Sequence, residues 1–184
     1  MSNIWFVSDS HFCHNKSFLY EPRGFNDINE HNETIIQNWN SLVQPNDIVY
    51  HLGDVMLNDD EQGLECLQRL NGRIRMIRGN HDSDNRLLKF ANCVNVESAG
   101  DWSTMIKEGK QHIYLSHFPT ITSNYDSDRP LKARVLNLCG HSHTKDPFAD
   151  WSKGLIYHVE LDAHDNKPVA LEDIMEDVRK RLDD

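Results

Sequence analysis

Five short apolar runs in this sequence each end in a small group of polar residues, and the densest group is Gly79-Asn80-His81-Asp82. It follows the run 74–77 and offers an amide oxygen, an imidazole and a carboxylate within one turn. Short apolar runs bounded by polar residues are typical of buried β-strands. Because functional sites in open α/β sheets form outside the carboxyl ends of strands, the chain is expected to be organised around one such site.

The other four runs end in the same kind of chemistry. Their polar residues are Asp9 and His11 after run 4–7, Gly53-Asp54 after 48–52, Ser116-His117 after 113–115, and Gly140-His141-Ser142-His143 after 135–139. Any one of these residues would more often be a helix cap, a turn residue or a hydrogen-bonded core residue. Their convergence at five strand ends makes coincidence improbable and predicts a single site.

This set of side chains suits two divalent metal ions about 3.5–4 Å apart, which activate a water and stabilise the attacking and leaving oxygens of a displacement. Asp54 lies near the middle of the series and is expected to bridge the ions. The spacing assigns Asp9 and His11 to one ion and Asn80 and His117 to the other. His141 and His143 alternate on an extended turn, so each can face a different ion. Oxygen and imidazole donors favour Mn²⁺, Fe²⁺, Zn²⁺ or Ni²⁺.

Five further residues near these turns are candidates for roles at the site, and four of them have an alternative role. His81 is not needed as a ligand and is free to donate a proton, since imidazole titrates near neutral pH. Asp82 could orient His81 or cap the following helix. Arg78 could contact phosphate or brace its turn, and Arg23 could be a phosphate-facing cation or an ordinary surface arginine. His14 could belong to the site or simply lie in a loop.

The bulk properties limit the class of protein. With 184 residues the chain fits one domain, 1–184, and the only strongly apolar stretch near its start, 4–7, is far too short for a signal peptide or membrane span. We therefore expect a cytoplasmic protein without membrane association. A net charge of −10 disfavours long nucleic acid but allows a small nucleotide. The four cysteines show no Cys-x-x-Cys spacing, which predicts free thiols, and Cys13 and Cys139 are expected to be small buried residues.

Helical spacing of apolar residues predicts a helix over 29–43, with Asn29 as its N-cap, Trp39 in the core and His31 on the solvated side. A second helix is predicted to open at Asn58, with Glu61 at capping-box spacing, and to end at Asn71-Gly72. The unit 47–77 then favours a parallel strand pair.

The remaining predicted elements are a short helix 84–91, edge strands 93–98 and 102–106, a strand 155–161 and a C-terminal helix through Leu171 and Val178. Segments 16–27 and 118–133 lack a clear period and are expected to be loops, the second over the site. These two loops are the candidates for substrate selection.

Together, the strand-end motifs resemble those of the calcineurin-like metallophosphoesterases. The family's ordered motifs appear as Asp9-Ser10-His11, Gly53-Asp54, Gly79-Asn80-His81-Asp82, His117 and Gly140-His141-Ser142-His143. The opening Asp-x-His-Phe-x-His and the closing segment 162–169 look like those of a small bacterial and phage branch, so the resemblance covers nearly the whole chain.

The resemblance implies an α/β fold, a four-layer α-β-β-α sandwich with two mixed sheets and a dimetal site at the strand carboxyl ends. It implies phosphoester hydrolysis by a hydroxide that bridges two metals. In the family pattern Asp9, His11, Asp54 and His143 bind one metal and Asp54, Asn80, His117 and His141 bind the other, with His81 as proton donor. Cys13 departs from the branch, which often has glycine there, and Val55-Met56-Leu57 lacks the charged continuation of the protein phosphatases.

We therefore expect a dimetal phosphoesterase with an open site, acting on a phosphodiester or a small nucleotide rather than on a protein. The alternatives are a phosphomonoesterase and a nuclease acting on short ends. A non-catalytic protein-binding scaffold would usually have lost a ligand or the proton-donating histidine, and a metal-stabilised structural domain would show closed coordination.

Overall fold

The computed structural model describes residues 2–122 and 130–183. The α-helices are Ser17–Tyr20 (α1), Ile28–Leu42 (α2), Asp60–Gln68 (α3), Asp84–Phe90 (α4) and Leu171–Asp183 (α5). The strands are Ile4–Val7 (β1), Ile48–His51 (β2), Arg73–Ile77 (β3), Val96–Asp101 (β4), Ser103–Glu108 (β5), Gln111–Ser116 (β6), Val135–Cys139 (β7), Ile156–His158 (β8) and Val169–Ala170 (β9). Part of the predicted loop 118–133, including Asp126, Asp128 and Arg129, lies outside the described residues.

The strands form two mixed sheets. The first has the order β4-β3-β2-β1-β9, in which β9 alone is antiparallel to its neighbour. The second has the order β5-β6-β7-β8, in which β5 is antiparallel to β6 and the other pairs are parallel. The predicted mixed α/β fold with two mixed sheets is confirmed, as is the parallel pairing of β2 and β3. The two predicted edge strands prove to be edges of different sheets, β4 of the first and β5 of the second.

Two apolar clusters hold these layers together. Helices α2, α3 and α4 cover the outer face of the first sheet, where Trp39, Leu67 and Phe90 pack in one cluster with Val49 and Ile74. The second cluster lies between the sheets and also contains the buried face of α5. Over the outer face of the second sheet lie described loops rather than an α-helix: Thr120 N–H donates to Asn137 of β7, and Asp150 pairs with His158 of β8.

Both predicted helix N-caps are wrong by one or two residues. The Asp27 carboxylate caps α2 by accepting from the N–H groups of Asn29 and Glu30, so Asn29 lies inside the first turn. Asp59 caps α3 by accepting from the N–H of Gln62. Asn58 has a φ of 76°, whereas an N-cap residue normally adopts an extended conformation.

Three other expectations about exposure and local structure have clear outcomes. His31, expected on the solvated side, is fully buried, and its Nε2 lies 3.0 Å from Nη1 of Arg23. The predicted loop 16–27 contains the short helix α1. All four cysteines are free, as predicted, and all are buried, which was expected of Cys13 and Cys139. In the part of the chain that the structure describes, every helix is too short or too polar to cross a membrane.

Candidate metal centre

All seven predicted ligand residues lie together where the carboxyl ends of β1, β2 and β3 meet those of β6 and β7. Nε2 of His11 lies 3.6 Å from Asp9 Oδ1 and 3.6 Å from Asp54 Oδ2. On the other side, Asp54 Oδ2 lies 3.5 Å from His117 Nε2, and Asn80 Oδ1 lies 2.8 Å from the same nitrogen. These distances connect the two halves of the predicted site through Asp54.

The two histidines of the Gly140-His141-Ser142-His143 motif point to opposite halves. Nε2 of His143 lies 3.7 Å from Asp9 Oδ1, and Nδ1 of His141 lies 2.8 Å from Asn80 Oδ1. Two groups have ligand atoms that all lie within 4.8 Å of one another, Asp9 with His11 and His143, and Asp9 with Asp54 and His117. Asp9 is common to both groups, while Asp54 lies between His11 and His117.

Several buried polar atoms at this centre have no hydrogen-bond partner in the described chain. They are Asp9 Oδ1 and both ring nitrogens of His11, and both side chains are at most 2 % exposed. Burying unpaired polar atoms is costly, and native structures contain few of them. A cation between these atoms would satisfy them together.

The other half of the centre, at His117 and Asn80, also has polar atoms placed to hold a cation. Nδ1 of His117 lies 2.8 Å from the carbonyl oxygen of Leu52, which can only accept, so this nitrogen carries the proton. In the neutral form of imidazole that binds metals, the lone pair of Nε2 then faces Asn80 Oδ1, which is another acceptor. A positive charge between the two acceptors removes their repulsion, so these residues fit a divalent cation.

The backbone at the site adopts a conformation that residues other than glycine seldom use. Asp9, His11, Asp54, His141 and His143 all have positive φ, at 58°, 47°, 57°, 73° and 49°. Each such residue costs on the order of 1–3 kcal/mol and persists only where surrounding contacts enforce it. Hydrogen bonds between the turns provide this restraint: the N–H of Asp9 donates to the carbonyl of Gly53 and that of His11 to Asp54, both at 3.0 Å.

The glycines of the motifs allow the turns to approach one another. A Cβ at Gly79 would collide with the carboxylate and backbone nitrogen of Asp54, and one at Gly140 would collide with Ser8 and Asp9. Glycine is required here because of the close approach of two carboxylates.

Asp82 has neither of its two predicted roles. Its carboxylate is 1 % exposed and accepts from the N–H groups of Asp54 at 2.8 Å, Gly79 at 2.9 Å and Val55 at 3.2 Å. The cap of α4 is Ser83. Asp82 therefore ties the turn after β2 to the turn after β3.

Arg23 is not a surface arginine. It is 8 % exposed, and its Nη2 donates to Asp162 Oδ2 at 2.6 Å and to the carbonyl oxygen of Asp9 at 2.8 Å. The same Asp162 oxygen lies 2.9 Å from Nδ1 of His143, which leaves Nε2 of that ring facing Asp9. With its donors engaged by protein groups, Arg23 is suited to orienting His143 through Asp162 rather than to contacting phosphate. The closing segment 162–169 was the sequence signal for this partner, although its role was not apparent.

The remaining candidates differ in location. His81 is 42 % exposed, with Nε2 3.9 Å from Asp54 Oδ2, and its backbone N–H donates to Asp54 Oδ1 at 2.8 Å. His14 is buried near it, with ring centroids 6.4 Å apart. Arg78 instead pairs with Asp84 at 2.5 Å and lies over the ring of Trp102, so the structure favours its bracing role.

Burial and neighbouring charges separate the ionisation behaviour of the two carboxyl groups. Burial raises the pKa of Asp54 to about 6, and the nearby charge of Asp9 acts in the same direction. Burial also acts to raise the pKa of Asp9, but the imidazoles of His11, His117 and His143 around its carboxylate hold that pKa well below its usual range. Burial lowers the pKa of His11 to about 4, so this ring is neutral at physiological pH, as a ligand must be.

Several known proteins are similar to this chain. A protein of Methanocaldococcus jannaschii, the uncharacterized MJ1445, is 33% identical over 98% of this chain and 93% of its own length. The Gene 66 protein of Mycobacterium phage L5 is 30% identical over 80% of each chain. The crystal structure of a protein of unknown function from Aquifex aeolicus, AQ665, has the same fold, with a TM-score of 0.72 and 23% identity over 96% of this chain and 99% of the other.

The family is shown by a match over most of the sequence. The family model described as the calcineurin-like phosphoesterase superfamily domain matches residues 2–159, a range that contains all seven candidate ligands and His81. Proteins of this family generally use divalent metals, in agreement with the two candidate ligand groups. The chain thus belongs to the calcineurin-like phosphoesterase superfamily.

Proposed function

We propose that this protein is a metal-dependent phosphoester hydrolase that works with two divalent ions, and that its substrates are small phosphodiesters, including nucleotide-type ones. The observation that carries the proposal is the group of unpaired buried atoms at Asp9 and His11, beside the facing acceptors of His117 and Asn80. These atoms belong to different strand ends, and a cation among them would satisfy them together.

We assign the ligands as the family pattern does. Asp9, His11 and His143 hold one ion with Asp54, and Asn80, His117 and His141 hold the other with Asp54. When bound, two such ions activate a water and stabilise the attacking and leaving oxygens of the phosphoryl group. Mn²⁺, Fe²⁺, Zn²⁺ and Ni²⁺ match this mixture of oxygen and imidazole donors. Asp54 is the bridging residue in this proposal, supported by its position between His11 and His117.

His81 serves as the proton donor to the leaving oxygen. It lies outside both candidate ligand groups and is close to Asp54, while its ring faces a cavity next to the metal centre. An accessible imidazole in this position can transfer a proton without giving up a metal bond. The presence of every ligand type together with His81 argues against a non-catalytic scaffold.

The test is Mn²⁺-dependent hydrolysis of bis-p-nitrophenyl phosphate, with p-nitrophenyl phosphate in parallel and a chelator-treated sample as control. We expect turnover that requires metal and that is faster with the diester. Faster hydrolysis of the monoester would instead support the phosphomonoesterase alternative. No hydrolysis of either ester by protein with two bound Mn²⁺ ions would contradict the proposed activity and favour the scaffold.

A further inference from the structure

A cavity of about 360 Å³ adjoins the candidate metal centre and has one apolar wall. Its size is within the range typical of small-molecule sites. The lining residues from the centre are His11, His81 and His143, and those from the loops are His14, Phe18, Leu19, Pro22, Lys145 and Asp162. An ester group attached to a phosphate at the metal centre can therefore enter this cavity.

We propose that the cavity binds an aromatic ester group of the substrate, with Phe18 stacking on its ring and Lys145 binding a phosphate oxygen. This inference rests on the proposed function and specifies its substrate class, which is a phosphodiester with an aryl or nucleobase-bearing ester group. Neither residue was identified by the strand-end motifs.

The aromatic wall has a fixed position. Leu19 anchors α1 because it is only 5 % exposed, and Arg23, four residues further on, is tied to Asp9 and Asp162. Phe18 remains 71 % exposed, and its ring meets that of His14 edge to face at 5.7 Å and 86°. A large aromatic side chain held in water at the edge of a site offers a flat surface on which another ring can stack.

The polar groups of the cavity suit an anionic phosphate. Asp162 is paired with the Arg23 guanidinium and lies 2.9 Å from Nδ1 of His143, so it does not repel an anion as a free carboxylate would. Lys145 is exposed and has no ion-pair partner among residues 2–122 and 130–183. His14 is 8 % exposed and lines the cavity beside Phe18.

The apolar wall and the single lysine of the cavity favour an aromatic group over a carbohydrate or an extended polymer. Carbohydrate hydroxyl groups would face the apolar side chains of Phe18, Leu19 and Pro22 without partners. A long nucleic acid needs many cations along its backbone, whereas this cavity has one free lysine in a chain of net charge −10.

Binding of two non-hydrolysable anions tests the inference without requiring turnover. Phenylphosphonate and methylphosphonate are titrated calorimetrically into Mn²⁺-loaded protein. We expect phenylphosphonate to bind about five- to tenfold more tightly, as stacking on one aromatic side chain allows. Phe18→Ala and Phe18→Leu should both reduce that ratio to within about twofold, because neither retains a ring.

Lys145→Gln should weaken the binding of both phosphonates by a similar factor of about five, since it removes a positive charge that both ligands contact. Lys107→Gln, on the exposed strand β5, removes the same charge away from the cavity and is expected to leave both dissociation constants unchanged.

Three outcomes would overturn the inference. The wild type could bind the two phosphonates with equal affinity, or its preference for phenylphosphonate could survive both Phe18 substitutions. The third outcome is that Lys145→Gln and Lys107→Gln change the dissociation constants equally. A preference lost in Phe118→Ala but retained in Phe18→Ala would place the ring on the opposite side of the centre, where Phe118 contacts His141 at 4.6 Å. If neither phosphonate binds the Mn²⁺-loaded protein, the proposed function itself fails.

Discussion

Asp82 connects the two turns that carry Asp54 and Asn80, although it is not itself a candidate ligand. Its two oxygens accept three backbone N–H bonds, at 2.8, 2.9 and 3.2 Å, in a position that is 1 % exposed. In Asp82→Ala three buried donors lose their acceptor. A hydrogen bond to a charged group contributes about 1.5–3 kcal/mol, and after partial relaxation we expect a loss of about 3–5 kcal/mol in the free energy of unfolding.

The substitution Asp82→Asn removes the negative charge of the side chain but keeps its shape, so it measures how much of the lost stability is due to the charge. The amide keeps one acceptor oxygen for the N–H groups of Asp54 and Gly79 but turns an NH₂ group toward that of Val55. We expect a loss of about 1.5–3 kcal/mol, smaller than that for alanine. Both variants should also bind Mn²⁺ more weakly, because the turns that present Asp54 and Asn80 are no longer held together.

The assay is urea unfolding followed by circular dichroism in the presence of a chelator, so that metal binding does not contribute to stability. Asp183→Asn is the matched control, since that residue is exposed in the last turn of α5 and should change stability by no more than about 0.5 kcal/mol. If Asp82→Ala unfolds within about 1 kcal/mol of the wild type and binds Mn²⁺ normally, the argument that Asp82 holds the two turns is wrong.

Four further substitutions test the site. His81→Ala should lower turnover by about 10²–10⁴-fold with unchanged Mn²⁺ content, because it removes a proton donor and no ligand. Asp54→Ala should reduce metal content itself, measured by elemental analysis after gel filtration. Gly79→Ala should lower the free energy of unfolding by about 1–3 kcal/mol or more, since its Cβ would collide with Asp54. Arg23→Gln should cost about 3–5 kcal/mol, because it leaves the buried Asp162 carboxylate without its cation.

Each of these four predictions has an outcome that would contradict it. Loss of both metals in His81→Ala would refute its assignment as a non-ligand, and full metal occupancy in Asp54→Ala would refute the bridging role. For Gly79 the control is Gly154→Ala, whose Cβ would lie 3.4 Å from Ile156 and should be tolerated. Equal stability of the two glycine variants would show that the Asp54 turn can relax. A wild-type unfolding curve for Arg23→Gln would show that Asp162 finds another partner.

Much of the fold was predictable because buried strands need continuous apolar runs. The runs at 4–7, 74–77 and 135–139 each form a strand, and the parallel arrangement around β2 follows from the helix between two strands. Trp39 is fully buried, as the helical spacing indicated. These features depend on local periodicity, which a single sequence displays directly.

Helix caps and the environment of individual polar residues were less predictable. Asp27 and Asn29, or Asn58 and Asp59, offer similar acceptors within two residues, and the backbone conformation of the folded chain selects one of them. His31 lies on the polar side of its helix by sequence yet is buried, because the loop carrying Arg23 folds over it.

The sequence alone determined which side chains could hold metal and the order in which they occur, because each one directly follows an apolar run. Only the tertiary structure decided how they are supported. Arg23 meets Asp162 across 139 residues, and Asp82 accepts from Asp54 across 28. The cavity of Phe18 and Lys145 likewise joins two distant loops. Local patterns carry no information about such pairs, since their distances are set by how the strand ends and loops of two sheets converge.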